Sequence, residues 1–161
     1  QEEGGTVLTG GHQVKLDGEQ KNGWYIAPTI IEGLSFDCRT NQEEIFGPVL
    51  SVVEVGSFEE AIEVNNNTRY GLSSSIFTEN VNVAFKAIRD ISTGIVYINH
   101  GTTGAEIQFP FGGTRGTGNG MREAGQAVLT SFTEWKSVYV DYSGRLQRAQ
   151  IDTEAVLDEQ E

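Results

Sequence analysis

Residues 73–98 read Ser73-Ser74-Ser75-Ile76-Phe77, then Val81 to Ile91, then Ile95-Val96-Tyr97-Ile98, and this stretch decides the fold. The small-residue run Ser73 to Phe77 predicts a strand. Val81, Ala84, Phe85, Ile88 and Ile91 fall at helical spacing, and Gly94 follows at the end, where a residue without Cβ closes a helix readily. The short continuous apolar run Ile95 to Ile98 predicts a second strand. Upstream the pattern repeats. Val49 to Val55 reads as a buried strand, and Ser57 stands three residues before Glu60, the spacing of a capping box. Ala61, Ile62 and Val64 supply the apolar positions of that helix until Asn65-Asn66-Asn67 stops it. Strand, helix, strand, helix, strand with short connections predicts an α/β fold, a parallel sheet covered by helices. Function is then expected at the strand ends.

Farther out the pattern loosens. Trp24 to Ile31 is aromatic and β-branched but contains Pro28, which predicts an edge strand or an extended crossing segment. A glycine-rich passage runs from Gly101 to Gly120, and loops of that length are usually functional. Glu123 to Phe132 predicts a helix, and Ser137 to Tyr142 alternates as a strand. Residues 143–161 are charged and weakly apolar, expected to form an acidic mobile tail. Gln1 to Gly11 is rich in glycine and begins without methionine, so the chain reads as a piece of something longer.

Composition excludes several functions. Ile, Leu, Val and Phe together make 42 of the 161 residues, about a quarter and enough for a core. No apolar run approaches the ~18 residues of a membrane span, so no membrane partner is expected. The net charge of -12 repels phosphate backbones and argues against nucleic acid. One cysteine excludes an internal disulfide, two distant histidines leave no spaced metal cluster, and a reducing, cytoplasmic setting fits. Only four of the 11 basic residues are lysine, which matches either a salt-adapted surface or an ordinary acidic cytosolic one.

The single motifs have plain alternatives. The run Gly112 to Gly120 lacks the Lys and Ser/Thr of a phosphate loop, and Met121 stands where a dinucleotide fingerprint needs glycine. It reads instead as a loop needing positive φ and close backbone approach. Cys38 lies in Phe36-Asp37-Cys38-Arg39, where the acid neighbour disfavours a thiolate, so a structural role is expected. His12 and His100 read as loop or packing residues, with His100 the nearer to a site. In Glu43-Glu44-Ile45-Phe46-Gly47-Pro48-Val49 the two carboxylates alone suggest a solvated turn.

That last segment, however, resembles a signature of the NAD(P)-dependent aldehyde dehydrogenase superfamily. The resemblance continues in order through Asn67-Thr68-Arg69-Tyr70-Gly71-Leu72, Gly94 to Asn99, Pro110-Phe111-Gly112-Gly113 and Gly118 to Glu123, and runs from about Gly4 to Tyr142. In that family a cysteine thiolate attacks the aldehyde, hydride passes to the nicotinamide, and water releases the acid from a thioester. The resemblance implies that the nucleophile, the general base and the cofactor-binding domain lie upstream of the matched region. No catalytic residue is therefore expected in this chain, and Cys38 does not match the nucleophile.

What the resemblance does imply is the other wall of the site. Glu44 matches a glutamate that accepts hydrogen bonds from the nicotinamide ribose of NAD or NADP, and Phe46 an aromatic packed near that ribose and ring. Asn99 ends the strand under the substrate loop, and Phe111 matches an aromatic of the aldehyde pocket. The loop Gly101 to Ile107, with Gly104-Ala105-Glu106, resembles that of enzymes acting on carboxylated semialdehydes, closest to the α-ketoglutarate semialdehyde (2,5-dioxopentanoate) dehydrogenases. Its backbone N–H groups suit an anion, although a plain surface turn is the alternative. The expected organisation is residues 1–136 as the C-terminal portion of a catalytic domain, 137–142 as an oligomerisation strand joining copies of the chain, and the tail. A free-standing, non-catalytic binding module of the same fold is the alternative function.

Overall fold

The computed structural model describes residues 2–144. The tail expectation thus lies outside the described residues apart from positions 143 and 144. Strands β1 (Thr6–Thr9) and β2 (Gln13–Val14) lead to β3 (Tyr25–Ile26) and β4 (Thr29–Glu32), followed by the single-turn helix α1 (Arg39–Gln42). Then come β5 (Val49–Val52), α2 (Phe58–Asn66), β6 (Ser73–Ile76), α3 (Val81–Asp90), β7 (Ile95–Ile98) and the short helix α4 (Val128–Phe132).

The unit β6-α3-β7 forms as its sequence predicts. β6 and β7 pair in parallel from Ser73 opposite Ile95 to Ile76 opposite Ile98. Asn80 starts α3 by accepting from the N–H groups of Asn82 at 2.9 Å and Val83 at 3.4 Å. The packed face of α3 is narrower than its apolar pattern suggests. Ala87 and the following Ile91 are buried, whereas Val81, Phe85 and Ile88 are exposed. In α2, Ser57 Oγ accepts from the Glu60 N–H at 3.1 Å, and Glu60 Oε2 reaches back to the Gly56 N–H at 2.7 Å, one residue before the usual capping-box partner.

Four expectations need correction. The strands do not join one sheet: β5 pairs with β4 in the order β1-β4-β5, while β6 and β7 form a separate pair. β4 is central in its sheet, antiparallel to β1 and parallel to β5. Pro28 is tolerated because it precedes the strand, where no ladder donor is required. β5 is half-exposed, with Leu50 and Val52 on the open face. The helix expected from Glu123 begins only at Val128, because Ala124 and Gly125 sit in left-handed backbone at φ 62 and 54. Apart from these four, Ser137 to Tyr142 pairs with no strand among the described residues of the single chain, and Val138, Tyr139, Val140 and Tyr142 are exposed.

The core is small. Ala27, Leu34, Ala87 and Ile91 are the buried apolar residues, and no large side chain is fully buried among the described residues. No helix there is long and apolar enough to cross a membrane.

Candidate functional site

Two walls carry the residues singled out in the sequence. The first begins at α1, whose N-terminus is capped from 36 residues away: Glu3 Oε1 accepts from the Arg39 N–H at 3.0 Å, and Oε2 from the Thr40 N–H at 3.1 Å and from the Thr40 hydroxyl. The Thr40 hydroxyl, followed by its N–H, holds the Glu3 carboxyl below its ordinary value. At the same turn Arg39 Nε pairs with Glu43 Oε2 at 2.7 Å, a hydrogen-bonded contact that raises the guanidinium pKa. Gln42 Nε2 donates to Phe36 O at 2.9 Å and to Asn67 O at 2.8 Å, tying the turn to the end of α2. None of these three anchors, Glu3, Arg39 or Gln42, was signalled by the sequence, since each depends on long-range or turn geometry.

Glu44 and Phe46 follow directly. Glu44 is exposed and has no hydrogen-bond or ion-pair partner among the described residues. Phe46 is held at φ 54 with 92% of its surface open. Glu44 lines a cleft of about 760 Å³ with Glu2, Glu3, Arg39 and Glu43. The donor set tests the implied nucleotide: a surplus of carboxylates repels a pyrophosphate but accepts from hydroxyl groups. The residues fit the ribose and ring end of NAD(P), with the phosphates held elsewhere.

The second wall lies along β7. Gly104, Ala105 and Phe111 line one cleft of about 330 Å³ together with Ile95, Tyr97 and Phe109. Gly104 adopts φ 84, where a side chain would strain the turn although space around it is open. Glu106 also lines this cleft and accepts from Gln108 Nε2 at 2.9 Å. Phe111 is fixed through its backbone, whose N–H and carbonyl pair with Glu123 at 2.6 and 2.9 Å. At the end of β7, Asn99 adopts φ 54 and bonds to Thr78 on both amide atoms.

From Gly112 onward the glycine passage packs at backbone distance. A Cβ on Gly94 would sit 1.8 Å from Gly112 O, so strand and loop approach at backbone distance. Gly71 O accepts from both Gly94 and Thr114 N–H groups, at 3.0 and 2.9 Å, which clamps the Asn67 to Leu72 segment to the loop. Cys38 immediately precedes α1 and lines neither cleft. His12 bonds Gly10 O at 3.1 Å as a loop residue, and His100 stacks on Tyr97 with ring centroids 5.7 Å apart. No group of His, Cys, Asp and Glu among the described residues could hold a metal.

The fold is that of a mixed α/β domain with two parallel strand pairs, β4-β5 and β6-β7. The indole-3-acetaldehyde dehydrogenase of P. syringae, solved with NAD+ and IAA, superposes with a TM-score of 0.79 at 37% identity, covering 86% of this chain and 27% of that one. The chain belongs to the aldehyde dehydrogenase family, whose model matches residues 1–138. It is 40% identical over 139 residues to the α-ketoglutaric semialdehyde dehydrogenase of Bacillus subtilis, covering 86% of this chain and 28% of the relative. It is 43% identical over 145 residues to the betaine aldehyde dehydrogenase of Vibrio vulnificus strain YJ016, covering 87% and 28%. Aldehyde dehydrogenase 21 of Physcomitrella patens, solved with the reaction product succinate, superposes with a TM-score of 0.75 at 34% identity over 90% of this chain and 28% of that one. The chain thus spans less than a third of the length of the relatives it matches.

Proposed function

We propose that this chain forms the ribose-binding and aldehyde-binding walls of an NAD(P)-dependent enzyme that oxidises a carboxylated semialdehyde to the acid. Bound NAD(P) supplies the hydride acceptor. Glu44 accepts hydrogen bonds from ribose hydroxyls, and Phe46 covers the ribose and ring. Phe111 packs the aldehyde, and the backbone N–H groups around Gly104 and Ala105 receive the distal carboxylate. The nucleophile and general base come from polypeptide beyond the residues matched here, so the chain by itself does not turn over. Ser137 to Tyr142 serves as an edge that pairs with a second copy in a cytoplasmic homo-oligomer.

The observation that carries this reading is the meeting of Gly104, Ala105 and Phe111 in one small, mostly apolar cleft. Overall identity does not choose the substrate, because semialdehyde and betaine aldehyde enzymes match at 40% and 43%. What supports the semialdehyde is the turn: the N–H groups of Gly104 and Ala105 have no backbone partner among the described residues and suit an anion. Glu106, Tyr97, Phe109 and Phe111 of the same cleft would suit a betaine's cation, so a direct comparison of the two substrates decides. The test is to join this chain to the upstream part of the Bacillus subtilis relative and compare α-ketoglutarate semialdehyde with betaine aldehyde. Higher kcat/KM for the semialdehyde is expected. Preference for betaine aldehyde overturns the substrate, and activity of the unjoined chain overturns the division of roles.

A further inference from the structure

The run Asn65-Asn66-Asn67 ends α2, but stopping a helix requires no side-chain partners on other segments, and Asn66 has them. Its Nδ2 donates to Asp90 O at 2.8 Å. Its Oδ1 accepts from the Ser92 N–H at 3.0 Å, from the Ser92 hydroxyl at 2.9 Å and from Asn65 Nδ2 at 3.0 Å. These partners fix the amide's orientation, since a backbone N–H only donates and a carbonyl only accepts. Ser92 passes the connection on: its carbonyl accepts from Thr114 Oγ1 at 2.7 Å, and its hydroxyl accepts from the Arg115 guanidinium. Both residues belong to the glycine passage that follows Phe111. One residue along from Asn66, the Asn67 carbonyl takes the hydrogen bond from Gln42 that anchors the Glu44 turn. The last residue of one helix and its cap therefore connect to both segments, the turn that carries Glu44 and the passage that follows Phe111.

We propose that Asn66 is a positioning residue that sets the Glu44–Phe46 turn relative to the glycine passage behind Phe111, and with it the gap across which cofactor and aldehyde meet. This rests on the functional reading above. Reacting atoms must be held to within a fraction of an ångström, so a link joining the two walls bears on rate without touching either ligand. Replacing Asn66 releases the Ser92 relay and loosens the helix end that presents the Asn67 carbonyl.

Hydrogen exchange on the full chain tests this with Asn66→Ala, Asn66→Asp and, as comparator, Ser57→Ala, which weakens the opposite end of the same helix. Asn66→Ala is expected to speed exchange roughly tenfold, the scale of a lost hydrogen bond, at two separate amides. These are Glu43 N–H, bonded to Arg39 O, and Gly116 N–H, bonded to Arg69 O. Ser57→Ala should speed neither. Asn66→Asp sets a charged carboxylate against the Asp90 carbonyl, and their repulsion draws the acceptor away from Ser92. Protonation restores the donor to Asp90 O and with it the Ser92 contact, so protection of Gly116, corrected for intrinsic rates, should return as pH falls. If Asn66→Ala fails to fold, the Asp variant decides alone. Acceleration confined to residues 64–68, an equal effect of Ser57→Ala, or a pH-independent Asp variant overturns the proposal. In the joined enzyme, Asn66→Ala should lower kcat more than it raises KM for NAD+ or aldehyde, whereas Ser57→Ala leaves kcat and both KM values unchanged. An enzyme inactive before substitution counts against the functional reading, and the exchange result still judges the coupling.

Discussion

Asn99 and Thr78 form a closed hydrogen-bonded pair at the ends of β7 and β6. Asn99 Nδ2 donates to Thr78 O at 2.9 Å, and Asn99 Oδ1 accepts from the Thr78 N–H at 2.7 Å. The Asn99 N–H continues the ladder to Ile76 O at 2.8 Å, and the residue then turns through φ 54 into the loop over the small cleft. Asparagine suits both demands, since it tolerates the left-handed region and its amide mimics a further ladder pair.

Asn99→Ala is therefore expected to lower stability by ~2–3 kcal/mol, from two lost hydrogen bonds and the backbone penalty of a Cβ at positive φ. Asn99→Gly removes the pair but not the conformation, so its loss should be smaller, ~1–2 kcal/mol. Urea unfolding of the three proteins ranks them; equal midpoints would mean that the pair is dispensable.

Gly94→Ala is expected to be among the most damaging small substitutions in the chain. The new Cβ would meet Gly112 O at 1.8 Å, and backbone on both sides cannot move aside as a flexible side chain could. A loss of ~3 kcal/mol or more is expected, at the upper end of overpacking. Gly47→Ala is the control, because its Cβ would meet nothing nearer than Ile45 at 3.9 Å. Chemical denaturation showing similar losses at both positions would refute the close-approach reading of the glycine passage.

Local signals were the legible part of this fold. The helical spacing from Val81 and the Ser57-to-Glu60 cap act within a few residues, and both elements form where the sequence places them. Pairing across the chain was not legible: β1 finds β4, and β5 finds β4 instead of β6, through contacts no window contains. The failed helix from Glu123 has a tertiary cause. Gly125 donates to Ile107 O at 2.8 Å, and its left-handed backbone crosses the Gly101 to Ile107 loop too closely for a regular turn. The same limit hid Glu3, whose carboxylate caps a helix far along the chain. Gly104, Ala105 and Phe111 were singled out through the family resemblance, and their closeness in sequence lets one cleft hold all three, whereas Glu44 and Phe46 need ligand and surrounding polypeptide to define their wall.

Glu44→Gln should leave the fold intact, since the Glu44 side chain has no partner among the described residues to lose. In the joined enzyme it should raise KM for NAD(P) roughly ten- to a hundredfold, the equivalent of ~1.5–3 kcal/mol for a charge-assisted hydrogen bond. Steady-state kinetics decide it: unchanged KM and kcat would reduce Glu44 to a solvated turn carboxylate.

The Glu3 cap predicts an acid-labile contribution to the first wall. The carboxyl lies below its ordinary value of 4.5 in the folded chain, chiefly through the Thr40 hydroxyl, so the contact stabilises the fold above that value. It is lost as pH falls through the lowered value. Wild type should be more stable than Glu3→Gln near neutrality, and the two should converge in acid. A stability difference that stayed constant down the acid range would show that the cap does not depend on the charge.

Gly104 offers the sharpest separation of substrate recognition from folding. At φ 84 with open space around the missing Cβ, Gly104→Val strains the turn without a clash, so the damage falls on the direction of the backbone N–H groups. The loop's charged side chain, Glu106, already bonds Gln108 and would repel a carboxylate, which leaves main-chain donors to receive one. In the joined enzyme, Gly104→Val should raise KM for a semialdehyde acid more than for an uncharged aldehyde of equal length, with little change in urea midpoint. The comparison is made at one ionic strength, because salt weakens exposed anion contacts. Equal losses for both substrates would make the loop a structural turn and remove the main support for a carboxylated substrate.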